Sequence, residues 1–229
     1  PPRSTLFPYT TLFRSMTGGN DSNEGSGSKR YTTARTRRNL ANAYVGMAQE
    51  AKTPEEKKQN FETGVKFYQQ AIKDFIAIEE PLWKPMGTFA AANVHQLLMA
   101  IYNDAQWDDV SCKVSDDGNS TTRLQTPDSR KAESARRGEL ARKLFFDSIS
   151  SSEAIVNNEM DQESRLRLRT TISQAKKQIA ATYLVSGQAL ASVAGKSEDA
   201  RKEFVEGLKY SFAIQKEWDI ATESPLEKM

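Results

Sequence analysis

The sequence predicts an all-α protein, built of antiparallel helical hairpins stacked as a short solenoid or bundle. Apolar residues recur at spacings of three and four from Tyr31 onward, without a convincing strand alternation. A strong helix-start signal stands at Thr53-Pro54-Glu55-Glu56, and the residue pattern of one hairpin returns near the end of the chain.

Taken in order, Pro1 to Ser15 read as the in-frame translation of a short-read sequencing adapter, which removes an apolar, Arg-flanked start from any argument about targeting. On that reading the native chain starts no earlier than Met16, and its message can extend further upstream. Residues 17 to 30 are nearly free of apolar side chains and read as an unstructured tail. The basic cluster Lys29, Arg30, Arg35, Arg37 and Arg38 reads as a solvated helix start rather than a targeting remnant, since Asp21 and Glu24 stand just before it. The first helix carries Leu40, Tyr44, Met47 and Ala51 as its expected buried stripe.

At the next boundary Thr53 can cap exposed N–H groups, Pro54 suits the first helical turn, and Glu56 can close a capping box. Phe61, Val65, Tyr68, Ile72 and Phe75 then follow at spacings of four, three, four and three, and Pro81 ends the pattern. The short link forces these two helices antiparallel. A third helix is expected from Phe89 to Tyr102, facing inward through Val94, Leu97, Leu98 and Ile101. Residues 113 to 128 are polar and turn-rich and read as a flexible insertion, with enough Ser and Thr to host phosphorylation. Helix returns over 129 to 157 with Leu140, Leu144, Phe145 and Ile149 inward. After Asn157-Asn158, the stripe Leu168, Ile172, Ala175, Ile179 and Tyr183 marks a fifth helix. A sixth follows Gly195, with Ser197 as its cap and Phe204, Leu208 and Phe212 buried. The expected organisation is an adapter-derived segment over 1–15, a tail over 16–31, one helical-repeat domain over 32–221 with the insertion at 113–128, and a tail over 222–229.

Charge excludes some functions. The chain has 32 Lys and Arg against 30 Asp and Glu, but Arg3 and Arg14 fall in the adapter segment, so the remainder is balanced at 30 and 30. Balanced charge argues against general nucleic-acid binding. No apolar run approaches the roughly 20 residues needed to span a bilayer. The single cysteine, Cys112, excludes an internal disulfide framework and suggests a reducing, cytoplasmic setting, with an organelle as the alternative. Neither a metal site nor a cofactor is expected from the spacing of Cys and His.

The internal echo pairs Leu40-Ala-Asn-Ala-Tyr44 with Ile179-Ala-Ala-Thr-Tyr183, and Phe61-Glu-Thr-Gly-Val-Lys-Phe67 with Phe204-Val-Glu-Gly-Leu-Lys-Tyr210. On these residues, and on Ala200 ahead of Phe204 and Gly207, the chain resembles tetratricopeptide-repeat proteins. The resemblance covers the first and third hairpins well and the middle one poorly, and the family's tryptophan is absent from both first helices. It implies a non-catalytic scaffold whose groove holds a partner peptide or helix. By that resemblance Arg38 and Asn42, one turn apart, would grip a carboxylate, with Lys177 at the corresponding place in the third hairpin. A shorter stretch, Asn60 to Phe75, resembles the second helix of MIT domains, three-helix modules that bind helical tail peptides; a trafficking adaptor or a structural subunit of a larger complex is the alternative reading.

The competing class is an enzyme. His95 is the only histidine and sits in a helical, half-apolar context; Cys112 lacks a basic partner nearby in sequence; the acidic pairs Glu79-Glu80, Asp108-Asp109 and Asp116-Asp117 fall at helix ends or in loops. None makes a catalytic constellation. Trp83, Trp107 and Trp218 stand near predicted helix ends and read as packing between hairpins, with a partner-facing anchor as the other reading.

Overall fold

The computed structural model describes residues 26–115, 120–157, 160–192 and 195–223, with side chains to 215. The expectations for residues 1–25, for Asp116-Asp117 and for the side chain of Trp218 lie outside the described residues. The described chain forms α1 (Ser26–Gln49), α2 (Pro54–Ile76), α3 (Lys84–Asn103), α4 (Pro127–Ile155), α5 (Gln162–Ala191) and α6 (Ser197–Glu223), plus a small antiparallel pair, β1 (Cys112–Val114) and β2 (Thr121–Arg123).

The helices associate as three antiparallel hairpins, α1 with α2, α3 with α4 and α5 with α6. The pairings fix the direction: Tyr44 stacks on Phe67, Ser134 Oγ donates to Met99 O while Ser148 Oγ reaches back to Pro85 O, and Gly187 meets Phe204. Each later hairpin leans on the one before it through its first helix. α3 packs on α2 and touches α1; α5 packs on α4 and touches α3.

Local chemistry explains most boundaries. Thr53 Oγ1 accepts from Glu56 N–H at 3.2 Å and Pro54 opens α2. Glu56 does not close the box on Thr53; its carboxylate accepts from the Lys52 N–H at 3.3 Å, one residue earlier. α4 starts with a complete box between Thr126 and Ser129. Gly195 holds φ +77°, the left-handed conformation a side chain resists, in the link to α6. Ser197, expected as the cap there, is the first helical residue.

The internal echo is a geometric repeat. Tyr44 stacks on Phe67 at 5.6 Å and 15°, and their counterparts Tyr183 and Tyr210 stack at 5.7 Å and 15°. A Cβ on Gly64 would press on Val45, and one on the equivalent Gly207 would press on Leu184, the counterpart of Val45. In both hairpins a glycine lets the second helix close on the first, and a stacked aromatic pair fills the space beside it.

Several expectations are corrected. The tail expected to end at Tyr31 is helical from Ser26: Gly27 fits against the Trp83 ring and Ser26 donates to Glu80, so tertiary contact orders residues that lack apolar side chains. α6 likewise runs to Glu223, into the expected C-terminal tail. In α1 the buried apolar side chains are Ala34, Ala41, Val45 and Ala48, whereas Leu40 and Met47 are exposed; close approach to α2 selects the small residues instead of the large ones. The insertion carries the β1–β2 pair, and Cys112, Val114 and Leu124 bury themselves in the core cluster shared with α1, α2 and α3. In α6, Gly207 is buried while Leu208 and Phe212 stand exposed. The α2 stripe is buried throughout, as its spacing predicts.

Candidate functional site

α1 is the most basic of the described helices. From Ser26 to Gln49 it carries Lys29, Arg30, Arg35, Arg37 and Arg38 and no acidic residue. Arg37 pairs with Asp74 of α2, and Arg30 reaches Ala77 O at 3.5 Å. Arg35, Arg38, Asn39 and Asn42 recur at i, i+3, i+4 and i+7, so they lie along one side of the helix.

Arg38 is half-buried beside Tyr31 and Tyr68. Burial draws its pKa below the ordinary guanidinium value, while the two phenols pull it the other way; the group stays cationic. One of its terminal nitrogens donates to Asn39 Oδ1 at 3.3 Å, but its Nε is buried without a hydrogen-bond partner. Asn42 is held by Tyr68, whose hydroxyl donates to Asn42 Oδ1 at 2.6 Å and so leaves the amide NH₂ directed elsewhere. Arg38 and Asn42 are therefore brought together with unspent donors. Lys177 is not brought to them: α3 separates α1 from α5, and Lys177 is exposed seven residues before Leu184, on the same side of α5.

A second cluster was not legible as a site. At the junction of α2, α3 and α4, the Arg137 side chain is 2% exposed and donates through Nε to Glu133 Oε1 at 2.8 Å. Its Nη1 reaches Gln69 Oε1 at 3.2 Å and His95 Nδ1 at 3.3 Å. Arginine can only donate, so Nδ1 accepts and His95 is the neutral Nε2–H tautomer. Burial first, and the charges of Arg137 and Arg136 after it, pull the His95 pKa to about 3. Burial alone would raise the Glu133 carboxyl, but hydrogen bonds and charge from Arg136 and Arg137 outweigh it, and Glu133 titrates below the ordinary carboxylate value. The signal for this cluster was the inward face of α4, where Glu133, Ser134, Arg137, Gly138 and Ala141 are buried alongside Phe145, while Leu144 and Ile149 pack half-buried against the core.

This arrangement suits structure better than catalysis. His95 is buried with Nδ1 committed to Arg137, and burial keeps its ring from taking up a proton near neutral pH. Cys112 is also buried; burial, and then the charge of Glu62, push its thiol up to about 12, against thiolate formation. Among the described residues no group of three or more His, Cys, Asp or Glu is placed to hold a metal ion.

Trp83 packs on Tyr31 at 5.5 Å, and Trp107 is buried against Phe61 at 5.0 Å with Lys57 over its other side. Both serve packing. A shallow cleft of about 360 Å³ opens between the end of α3, the start of α4 and the end of α5. Its cations are engaged: Arg130 pairs with Asp108, and Lys131 donates to Ser192 O at 3.4 Å.

The fold and these clusters define an all-α protein of three stacked helical hairpins, with two of the three sharing one internal pattern. No protein-family model, curated protein or solved structure matches the chain. No described helix is long and apolar enough to cross a membrane.

Proposed function

We propose that the protein is a non-catalytic scaffold that binds a partner peptide or helix, with the Arg35, Arg38, Asn39 and Asn42 side of α1 as the contact for an acidic or carboxylate group of the ligand. The observation that carries this reading is the half-buried Arg38 guanidinium one turn from an Asn42 amide that Tyr68 holds in place. A cation and an amide fixed one turn apart offer several donors to one carboxylate, and such charge-assisted bonds are the strong ones. An α1 with no acidic residue leaves that charge uncompensated along the helix. The burial of His95 and the raised thiol pKa of Cys112 support the non-enzymatic part of the reading.

The test is selection from a random peptide library displayed with free C-terminal carboxylates, followed by Kd measurement for the enriched sequences. Arg38→Glu is expected to weaken binding at least tenfold, the scale of one lost charge-assisted contact. Asn42→Ala is expected to weaken it less. Binding that survives Arg38→Glu unchanged overturns the assignment of the contact, and a library that yields no binder overturns the scaffold reading.

A further inference from the structure

Both ends of the hairpin stack expose residues whose internal counterparts are buried. Through the repeat that pairs Leu40 with Ile179, the α1 residues Thr36, Leu40, Ala43 and Met47 correspond to Ala175, Ile179, Thr182 and Ser186 of α5. All four α5 residues are buried, with Ala175 and Ile179 in the cluster formed with Phe89, Ala92, Ala141 and Phe145 of the preceding hairpin. In α1 all four are exposed, Leu40 to 43% and Met47 to 53%. They lie away from Ala34, Ala41 and Val45, the side that α1 turns to α2, and no described hairpin precedes them.

The opposite end mirrors this. Val45, Val65 and Gln69 of the first hairpin are buried, the two valines in the cluster shared with α3. Their counterparts in the third hairpin are Leu184, Leu208 and Phe212, exposed to 37%, 50% and 71%. With Val205, 40% exposed, they line the groove between α5 and α6, the place where α3 sits on the first hairpin and α5 on the second.

We propose that these two ends meet: the exposed stripe of α1 in one copy occupies the α5–α6 groove of a second copy, continuing the hairpin stack from molecule to molecule. The occupant is a second copy because the missing element at each end is the one the other end presents. Among the described residues no helix like α3 or α5 stands at the mouth of the groove, and none covers the equivalent face of α1. The contact extends the hairpin-to-hairpin packing already made twice within the chain, by α3 on the first hairpin and α5 on the second. Such an interface is heterologous, so it builds rings or open filaments rather than a two-fold dimer.

Sedimentation velocity of the full chain tests this with two double variants, Leu40→Glu with Met47→Glu at one end and Leu208→Glu with Phe212→Glu at the other. All four residues are exposed, and unchanged helical circular dichroism confirms that each variant folds. The wild type is expected to form larger species as concentration rises towards about 100 μM, the weak end of specific association. Each variant alone is expected to stay monomeric. Their equimolar mixture is expected to stop at a 1:1 dimer, because only one intact interface remains between them. A monomeric wild type over that range overturns the proposal. So does association that one variant abolishes and the other leaves intact, or a mixture that stays monomeric while the wild type assembles.

Discussion

At the scale of single residues, His95 shows how tertiary environment replaces the expected chemistry of a side chain. Its ring is buried against Arg137, and its pKa falls from the ordinary value near 6.5 to about 3. The folded state then binds fewer protons than the unfolded state between those values. Stability is full above pH 6.5 and is lost as pH falls towards 3, by up to about 1.4 kcal/mol per pH unit. His95 is the only histidine, so no other histidine contributes to the slope between pH 6.5 and 5. Urea denaturation at stepped pH is expected to show that slope in the wild type and a nearly flat line in His95→Gln; equal slopes refute the buried neutral imidazole. The sequence placed His95 in a helix, which holds. It did not announce Arg137 or Glu133 as partners, because charged residues spaced along α4 read as a solvated face until α2 and α3 cover them.

At the scale of elements, glycines decide how closely helices approach. A Cβ on Gly87 would stand 2.6 Å from the Phe75 carbonyl, a backbone atom that cannot swing aside. Gly87→Ala is expected to destabilise by about 1–3 kcal/mol despite the better helix propensity of alanine. Gly46, with nothing within 4 Å of its would-be Cβ, is the control: Gly46→Ala is expected to gain about 0.5–1 kcal/mol. Thermal denaturation of the two variants checks the pair, and a shift of the same sign in both would sink the account. The α2 stripe was fully legible because α2 buries a broad apolar face of large residues. α1 was misread by about one position, since its contact with α2 uses alanines and Val45 whereas its large residues face outward.

At the scale of the molecule, stability should be graded along the stack. α3 packs against α1, α2, α4 and α5, whereas α6 packs chiefly on α5, with Arg142 and Phe146 of α4 reaching its Glu203 and Tyr210. Quasi-linear stacks open from their ends, because end elements have fewer neighbours to lose. Native-state hydrogen exchange is expected to find the slowest amides in α3 and faster exchange in α1 and α6. Uniform protection across the six helices, or slowest exchange in α6, would contradict that gradient. Arg38 and Asn42 stand on one side of α1, as their spacing predicts. Lys177 stands at the equivalent place on α5, and α3 keeps it apart from them.

Helical class, hairpin count and the internal repeat were determined by sequence, because apolar period, proline and threonine at helix starts, and glycine at close contacts act locally and leave local traces. Which face of α1 and α6 is buried, how α4 hides its charges and how the β1–β2 pair packs beside α2 were decided only by tertiary structure. Those outcomes depend on what lies across the interface, and a residue's own neighbours in the chain carry no record of that.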